Sequence, residues 1–154
     1  MRGTIALAVV GLLAGACGSS PAASVSASPT PSTQAVVAVV AKTVAGQPET
    51  VLVNANGMTL YYLTADTATT VACSGQCPTF WPPLLLTAGD PSSGSASLPG
   101  KLSVLTDANG RQVLYNGHPL YLFVKDKTSN DVFGEGVNAF GGTWHAVTPT
   151  LAAM

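Results

Sequence analysis

A duplicated segment constrains the fold of this chain more than any other feature of its sequence. "NGMTLYYLTAD" occupies residues 56–66, and "NGHPLYLFVKD" occupies residues 116–126. The two segments align without a gap, and Asn, Gly, Leu, Tyr and Asp recur at the same five places. Asn-Gly between β-forming residues is a strong hairpin signal, because both turn positions need positive φ. We therefore expect each copy to form a β-hairpin unit.

The strand that follows each Asn-Gly is apolar on both faces. "LYYL" and "LYLFV" read as interior strands rather than half-exposed ones, and no segment fits a helical period for more than a turn or two. Units of about 50 residues usually bury their apolar faces against each other. The sequence therefore predicts an all-β domain at 48–154, in which two pseudo-repeats, about 50–86 and 101–148, pack into one small sheet assembly that is sandwich-like or barrel-like.

The N-terminus has the pattern of a signal peptide. Arg2 is followed by an apolar run at 5–14, which at about ten residues is too short to span a bilayer of ~30 Å. Small residues then precede Cys17, and "LAGAC" resembles a bacterial lipobox. That resemblance implies a signal peptide at 1–16 and a diacylglycerol on the Cys17 thiol. The alternative is an ordinary cleaved secretory signal in which Cys17 is incidental.

The residues after Cys17 predict a tether. The range 17–47 begins as a Ser, Ala, Pro and Thr tract, which cannot bury enough apolar surface to order itself. Its last part, "AVVAVVAKTV", is either the end of the tether or a first strand, and we favour an edge strand. The lipid would anchor the protein outside the cytoplasm, on the outer face of the plasma membrane or in an outer membrane, depending on the host.

The duplicated element also carries a recognisable motif. It resembles the family of secreted repeat lipoproteins with a Tyr-x-(Phe/Trp/Tyr)-x-x-Asp motif, which are predicted bacterial lipoproteins of unassigned function. The second copy matches the motif fully, whereas Leu63 occupies the aromatic position of the first copy. The segments "CSGQCPTFWPPL" and "GVNAFGGTWHAV" are similar to the same family. The motif residues are Tyr61, Asp66, Tyr121, Phe123 and Asp126.

The Tyr and Asp of each copy allow two interpretations. In the favoured one, the tyrosine packs in the core with its hydroxyl bonded, and the aspartate closes the following turn by accepting backbone N–H groups. In the other, the pair lines a ligand groove. No Ser/His/Asp order or pair of carboxylates points to a reaction, so the sequence leaves enzymatic activity undecided and favours a non-enzymatic role.

The cysteines predict a disulfide. The chain has three, and lipidation of Cys17 would leave Cys73 and Cys77 as a pair in an oxidising compartment. A disulfide closing this short loop would contribute about 2 kcal/mol of stability on the chain-entropy model. A redox-active or metal-binding thiol pair remains the alternative.

Two histidines and a methionine are the remaining candidates for metal or haem ligands. His118 follows the second Asn-Gly, Met58 stands at the equivalent place in the first copy, and His145 follows Trp144. We interpret them as turn and surface residues, and predict neither a metal nor another cofactor.

Charge excludes one class of partner. The net charge is −1, with six Lys and Arg in total, so the chain has no basic surface for nucleic acid. The expected partner is the membrane, through the lipid anchor. The sequence thus predicts a lipid-anchored cell-envelope lipoprotein of undetermined activity, acting as a binding or structural module. An extracytoplasmic electron-transfer or metal/haem-handling lipoprotein is the alternative.

Overall fold

The computed structural model describes residues 35–95 and 98–154. The predicted signal peptide, Cys17 and most of the predicted tether lie outside the described residues. The described part is almost entirely β, and its short helix is not long enough to cross a membrane. In chain order the elements are β1 Ala35–Val44, β2 Gln47–Asn54, β3 Tyr61–Leu63, α1 Cys77–Phe80, β4 Ser92–Ser93, β5 Leu102–Asp107, β6 Gly110–Tyr115, β7 His118–Pro119, β8 Asn138–Ala139 and β9 Gly142–Ala146.

The first sheet has the order β2-β1-β4. Strands β1 and β2 form an antiparallel hairpin that turns at Ala45 and Gly46, both of which have positive φ. The segment predicted as an edge strand is therefore a strand, but it lies in the middle of this sheet. Its outer neighbour β4 is parallel and reaches only Ala35–Val37. Strand β1 also shows that the described fold includes residues that the sequence assigned to the tether.

The other two sheets are built from strands of the duplicated units, and one of them combines strands of both units. Strands β5, β6 and β7 form a meander, and Asn116 and Gly117 make the turn between β6 and β7 with φ values of 51° and 89°. The predicted Asn-Gly hairpin is thus present in the second unit. Strand β3 of the first unit pairs with β9, and β8 extends that sheet. The three small sheets pack as a sandwich-like, all-β assembly.

The second apolar segment, Leu120–Phe123, forms isolated bridges rather than the predicted strand. Its neighbour on one side is the Pro82-Pro83 pair, which has no N–H groups to donate to a ladder. The bonds that remain run from Leu122 N to Pro82 O (2.8 Å) and from Leu84 N to Leu120 O (2.8 Å). The segment is interior, as expected, but proline interrupts its ladder.

The two repeats are interlocked rather than merely packed together. The end of repeat two pairs with repeat one, since Val147 N donates to Leu60 O at 2.9 Å. The end of repeat one pairs with repeat two through the equivalent bond from Leu84 N to Leu120 O. At the centre, Tyr61 and Tyr121 exchange two backbone hydrogen bonds of 2.9 Å. Each repeat therefore completes the sheet of the other around an approximate two-fold axis.

Stacked aromatic rings fill the core at this axis. Trp81 and Trp144 lie almost parallel, with ring centroids 3.8 Å apart, and each is at most 1% exposed. Tyr61 meets Trp81 edge-on at 5.5 Å, and Tyr121 meets Trp144 edge-on at 5.0 Å. The rings of the two repeats thus form one cluster, so neither half can bury its tryptophan alone.

Candidate functional site

The Tyr and Asp residues of the repeated motif pair across the repeats. The Tyr61 hydroxyl donates to Asp126 Oδ2 at 2.7 Å, and the Tyr121 hydroxyl donates to Asp66 Oδ2 at 2.8 Å. All four residues are buried. Each copy of the motif therefore supplies the tyrosine for one pair and the aspartate for the other.

Each aspartate also closes the loop that follows it. Asp66 Oδ1 accepts a hydrogen bond from Ala72 N at 2.7 Å, and Asp126 Oδ1 accepts one from Phe133 N at 3.0 Å. This arrangement agrees with the interpretation in which tyrosine packs in the core and aspartate fixes the turn. A carboxylate that accepts from both a hydroxyl and a backbone N–H is well satisfied, and its charge strengthens both bonds.

The electrostatics of these pairs favour a structural role. Burial raises the pKa of Tyr61 and of Tyr121 far above the usual range, and the neighbouring carboxylates raise it further. Burial also raises the pKa of Asp66, against the opposing effect of the Ala72 N–H and the Tyr121 hydroxyl. The tyrosines therefore stay protonated and act as hydrogen-bond donors across the physiological range.

The predicted disulfide is present. Cys73 and Cys77 are bonded, their Cα atoms are 5.2 Å apart, and both side chains are fully buried. The single turn of α1 connects the disulfide to Trp81. In this oxidised form the cysteines offer no thiolate to a metal.

An open groove of about 400 Å³ has several accessible polar side chains in its lining. The turn of the β1–β2 hairpin forms one side, and the end of β9 with the chain after it forms the other. Its polar lining includes Gln47, Glu49, Tyr62, Glu135, His145 and Thr148.

The lining of this groove includes a histidine held by a carboxylate. His145 Nδ1 lies 2.8 Å from Glu135 Oε1, and Glu135 Oε2 accepts from Ala146 N at 2.7 Å. Because an ionised carboxylate only accepts hydrogen bonds, the Nδ1 atom carries the shared proton. The pair thus orients the imidazole ring at the groove.

Tyr62 lies between the two histidines of the chain. Its ring centroid is 4.9 Å from that of His118 and 5.7 Å from that of His145. Burial, and then the charge of Glu135, raises the pKa of Tyr62, so its hydroxyl is neutral at physiological pH. The sequence analysis did not select Tyr62 or Glu135. Alternation along β3 could have indicated Tyr62, because Tyr61 and Leu63 face the core, but no local pattern indicates Glu135.

Of the remaining candidates from the sequence, Met58 lies in a turn, and His118 lies beside Tyr62 and the C-terminal segment. Met58 closes the first Asn-Gly turn, where its N–H donates to Asn54 Oδ1 at 3.0 Å. His118 Nε2 lies 3.0 Å from the carbonyl oxygen of Ala152. Within residues 35–95 and 98–154, no group of three His, Cys, Asp or Glu side chains is arranged to hold a metal ion. The electron-transfer alternative therefore gains no support from the placement of these residues.

The comparison with protein families identifies the repeats. The profile of a family described as a secreted repeat of unknown function matches residues 42–85 and 103–148, which together are more than half of the chain. The chain belongs to this secreted-repeat family. The two matches coincide with the two interlocked units and place the secreted-repeat protein outside the cytoplasm. No curated protein and no solved structure matches it significantly.

Proposed function

We propose that this protein is a lipid-anchored, extracytoplasmic binding protein whose β domain holds a small ligand in the groove around Tyr62, Glu135 and His145. The observation that carries the proposal is that this groove brings the oriented His145–Glu135 pair together with the hydroxyl of Tyr62, which has no partner among the described residues. Ligand sites are usually concave, mostly apolar and supplied with a few convergent polar groups.

The polar groups of the groove are available to a ligand. The motif tyrosines and aspartates are consumed by the crossed pairs, whereas the Tyr62 hydroxyl has no hydrogen-bond partner in the part of the chain that the structure describes. The same holds, within that part, for the side chains of Gln47 and Glu49. Binding is favoured over catalysis, because the described hydrogen bond of the His145 ring runs to Glu135 and not to a nucleophilic hydroxyl or thiol.

The groove favours a small organic amine with an apolar body. Two carboxylates line it, Glu49 and Glu135, while none of the described lining residues is Lys or Arg. Ala45 and Leu151 contribute apolar surface for the body of such a ligand. The Tyr62 ring adds a face to which an ammonium group is attracted.

Binding is tested by thermal shift and NMR titration with primary and quaternary alkyl amines, beside the matched neutral amides and carboxylates. We expect amines to raise the unfolding temperature, with a shift that grows with the logarithm of ligand concentration once the concentration exceeds Kd. Tyr62→Phe and Glu49→Gln should weaken that effect, and Asp90→Asn, which removes an exposed carboxylate outside the groove, should not. Equal shifts with amines and with carboxylates would rule out an amine ligand. The absence of a shift with all three classes would rule it out as well.

The lipid anchor is tested separately. Mass spectrometry of the membrane-associated protein should find a diacylglycerol on an N-terminal Cys17, and Cys17→Ser should release the protein from the membrane fraction. Two acyl chains anchor a protein stably, whereas one gives only marginal binding. An unmodified Cys17 in the mature protein would leave the family assignment intact and remove the anchor from the proposal.

A further inference from the structure

A second surface, which shares no lining residue with the polar groove, exposes aromatic rings. Phe80 at the end of α1 is 45% exposed, Phe140 at the β8–β9 turn is 40% exposed, and their rings lie 6.1 Å apart. They flank a cleft of about 250 Å³ that has the buried rings of Trp81 and Phe123 among its lining. We call Phe80, Phe140 and this cleft the aromatic patch.

The backbone at Phe140 indicates that its exposure is not incidental. Phe140 and Gly141 form the two-residue turn between β8 and β9, with φ values of 56° and 86°. The equivalent turn before β7 uses Asn116 at a φ of 51°, and asparagine tolerates that conformation far better than a bulky residue does. Folding alone therefore does not favour phenylalanine at the tip of this hairpin.

The charge around the patch identifies the class of partner. Lys125 is the only charged side chain among the described residues that line the cleft, and Lys127 follows two positions later with its side chain also exposed. Aromatic rings combined with lysine suit the boundary between headgroups and acyl chains of an anionic bilayer.

Distance also favours the bilayer. Residues 17–34 separate the predicted lipidation site from β1. Eighteen residues reach at most about 65 Å even when fully extended, and a Ser-, Ala-, Pro- and Thr-rich composition predicts a much shorter average separation. A domain held that close would meet the membrane surface at high effective concentration.

We propose that the aromatic patch docks directly on the anionic phospholipid surface, with Phe80 and Phe140 inserted shallowly and Lys125 contacting headgroup phosphates. This contact would fix which side of the domain faces the membrane and would act in addition to any lipid anchor. It does not depend on the ligand groove.

The test is sedimentation of the full mature chain carrying Cys17→Ser with vesicles of equimolar phosphatidylcholine and phosphatidylglycerol. The substitution removes the acylated thiol, so binding reports the patch and not the anchor. We expect binding that weakens with salt, and a partition coefficient about fivefold lower for Phe80→Ser, as expected for a half-exposed ring. Lys125→Gln should lower it about fivefold on these vesicles and leave binding to pure phosphatidylcholine unchanged. Leu85→Ser is the matched control, because Leu85 is also 45% exposed but packs over Gly110.

Phe140→Asn separates docking from folding. Asparagine suits the positive φ of this turn, so the unfolding temperature should stay within about 3 °C of the parent while vesicle binding falls about fivefold. The proposal is overturned if vesicles do not bind the parent chain, or if Leu85→Ser weakens binding as much as Phe80→Ser. It is also overturned if Phe80→Ser and Phe140→Asn abolish a dimer, because the patch would then belong to a second copy of the chain.

Discussion

The two repeats share a backbone plan but surround their tryptophans differently. In repeat two, Phe123 stacks on Trp81 with centroids 4.1 Å apart and planes 18° apart. In repeat one, Leu63 takes the same place and lies opposite Trp144 in the β3–β9 register. The aromatic position of the motif is therefore replaceable.

The loops after the motif aspartates differ as well. The loop of repeat one contains the buried Cys73–Cys77 disulfide. The loop of repeat two is organised instead by Asp131, whose Oδ2 accepts from the N–H groups of Lys127 and Thr128, both at 2.7 Å. What both repeats keep is the crossed Tyr–Asp bond and the central tryptophan. These two features are common to both repeats, whereas the disulfide and the Asp131 contacts each stabilise one loop.

The largest asymmetry should appear on removing the tryptophans. Trp81→Ala loses contacts with the rings of Tyr61, Phe123 and Trp144, and we expect it to lower the free energy of unfolding by about 5 kcal/mol. Trp144→Ala should cost about 4 kcal/mol, because Trp144 contacts two rings rather than three and its removal also relieves a buried indole N–H that has no partner among the described residues. Urea denaturation measures both, and Trp81→Phe provides a milder variant if Trp81→Ala does not fold. A larger loss of unfolding free energy for Trp144→Ala than for Trp81→Ala would contradict this expectation.

The crossed hydrogen bonds should also be unequal. Tyr61→Phe leaves Asp126 Oδ2 without its donor and removes the acceptor of Gly134 N, which lies 3.2 Å from the hydroxyl. We expect a cost of about 3 kcal/mol, against about 2 kcal/mol for Tyr121→Phe, which orphans only the bond to Asp66. A double-mutant cycle of Tyr61→Phe with Asp126→Asn should show strong coupling, whereas Tyr61→Phe with Asp66→Asn should be close to additive. Coupling within a repeat rather than across repeats would refute the crossed arrangement.

Reduction of the disulfide should affect one repeat only. Opening the Cys73–Cys77 loop is expected to cost about 2 kcal/mol on the chain-entropy model. Hydrogen exchange should then accelerate at residues 67–77, while the Asp131-centred loop at 127–133 keeps its protection. Paired Cys73→Ser and Cys77→Ser substitutions provide the reductant-free control. Equal acceleration in both loops would show that the disulfide supports the whole core.

Replacing Leu63, which occupies the aromatic position of the motif in repeat one, by phenylalanine should have a smaller effect on stability. Leu63→Phe must enlarge a side chain that already lies against the backbone of Gly142, where an added Cβ would be 2.9 Å from Leu63 Cδ1. We expect it to destabilise the fold by about 1 kcal/mol rather than to improve it. Thermal unfolding, with Leu63→Met as the volume-matched control, measures this. A gain in stability would show that repeat one has room for the ring.

The pH dependence of stability should have opposite signs for two aspartates. The folded-state pKa of Asp66 is raised by burial, so the native state binds its proton more tightly, and this contribution to stability grows as pH falls from the raised pKa toward the unfolded value of 3.8. Backbone N–H groups of Thr128 and Lys127 lower the pKa of Asp131, so its contribution is present above 3.8 and is lost as pH falls through the lowered value. Urea midpoints across pH 2–6 for Asp66→Asn and Asp131→Asn, each relative to the parent, should change in opposite directions. Parallel changes would contradict the assigned environments.

Local pattern was sufficient to predict much of the fold. The Asn-Gly turns, the absence of helical periodicity and the apolar tyrosine segments correctly predicted an all-β domain of two packed hairpin units, because turn chemistry and alternation act over a few residues. The disulfide followed from the count of cysteines. The interruption of the Leu120–Phe123 ladder was missed, because the proline pair that breaks it lies almost 40 residues away in sequence.

The candidate groove was less predictable than the fold. His145 is a candidate from the sequence, whereas no local pattern marks Glu135, and the antiparallel β8–β9 hairpin brings Glu135 to 2.8 Å from the histidine. Glu49 and Tyr62 come from still other parts of the chain. A site assembled from separate strands carries no contiguous sequence signal.

What the sequence determined alone was the repeated unit: its turns, its apolar strand and the presence of a tyrosine and an aspartate at a fixed separation. Only the tertiary structure decided that each tyrosine bonds the aspartate of the other copy. The physical reason is that either pairing satisfies the same donor and acceptor. Which tyrosine bonds which aspartate depends on how the last segment of each repeat pairs with the other repeat. Burial of Trp81 against Trp144, over a long sequence separation, fixes that pairing.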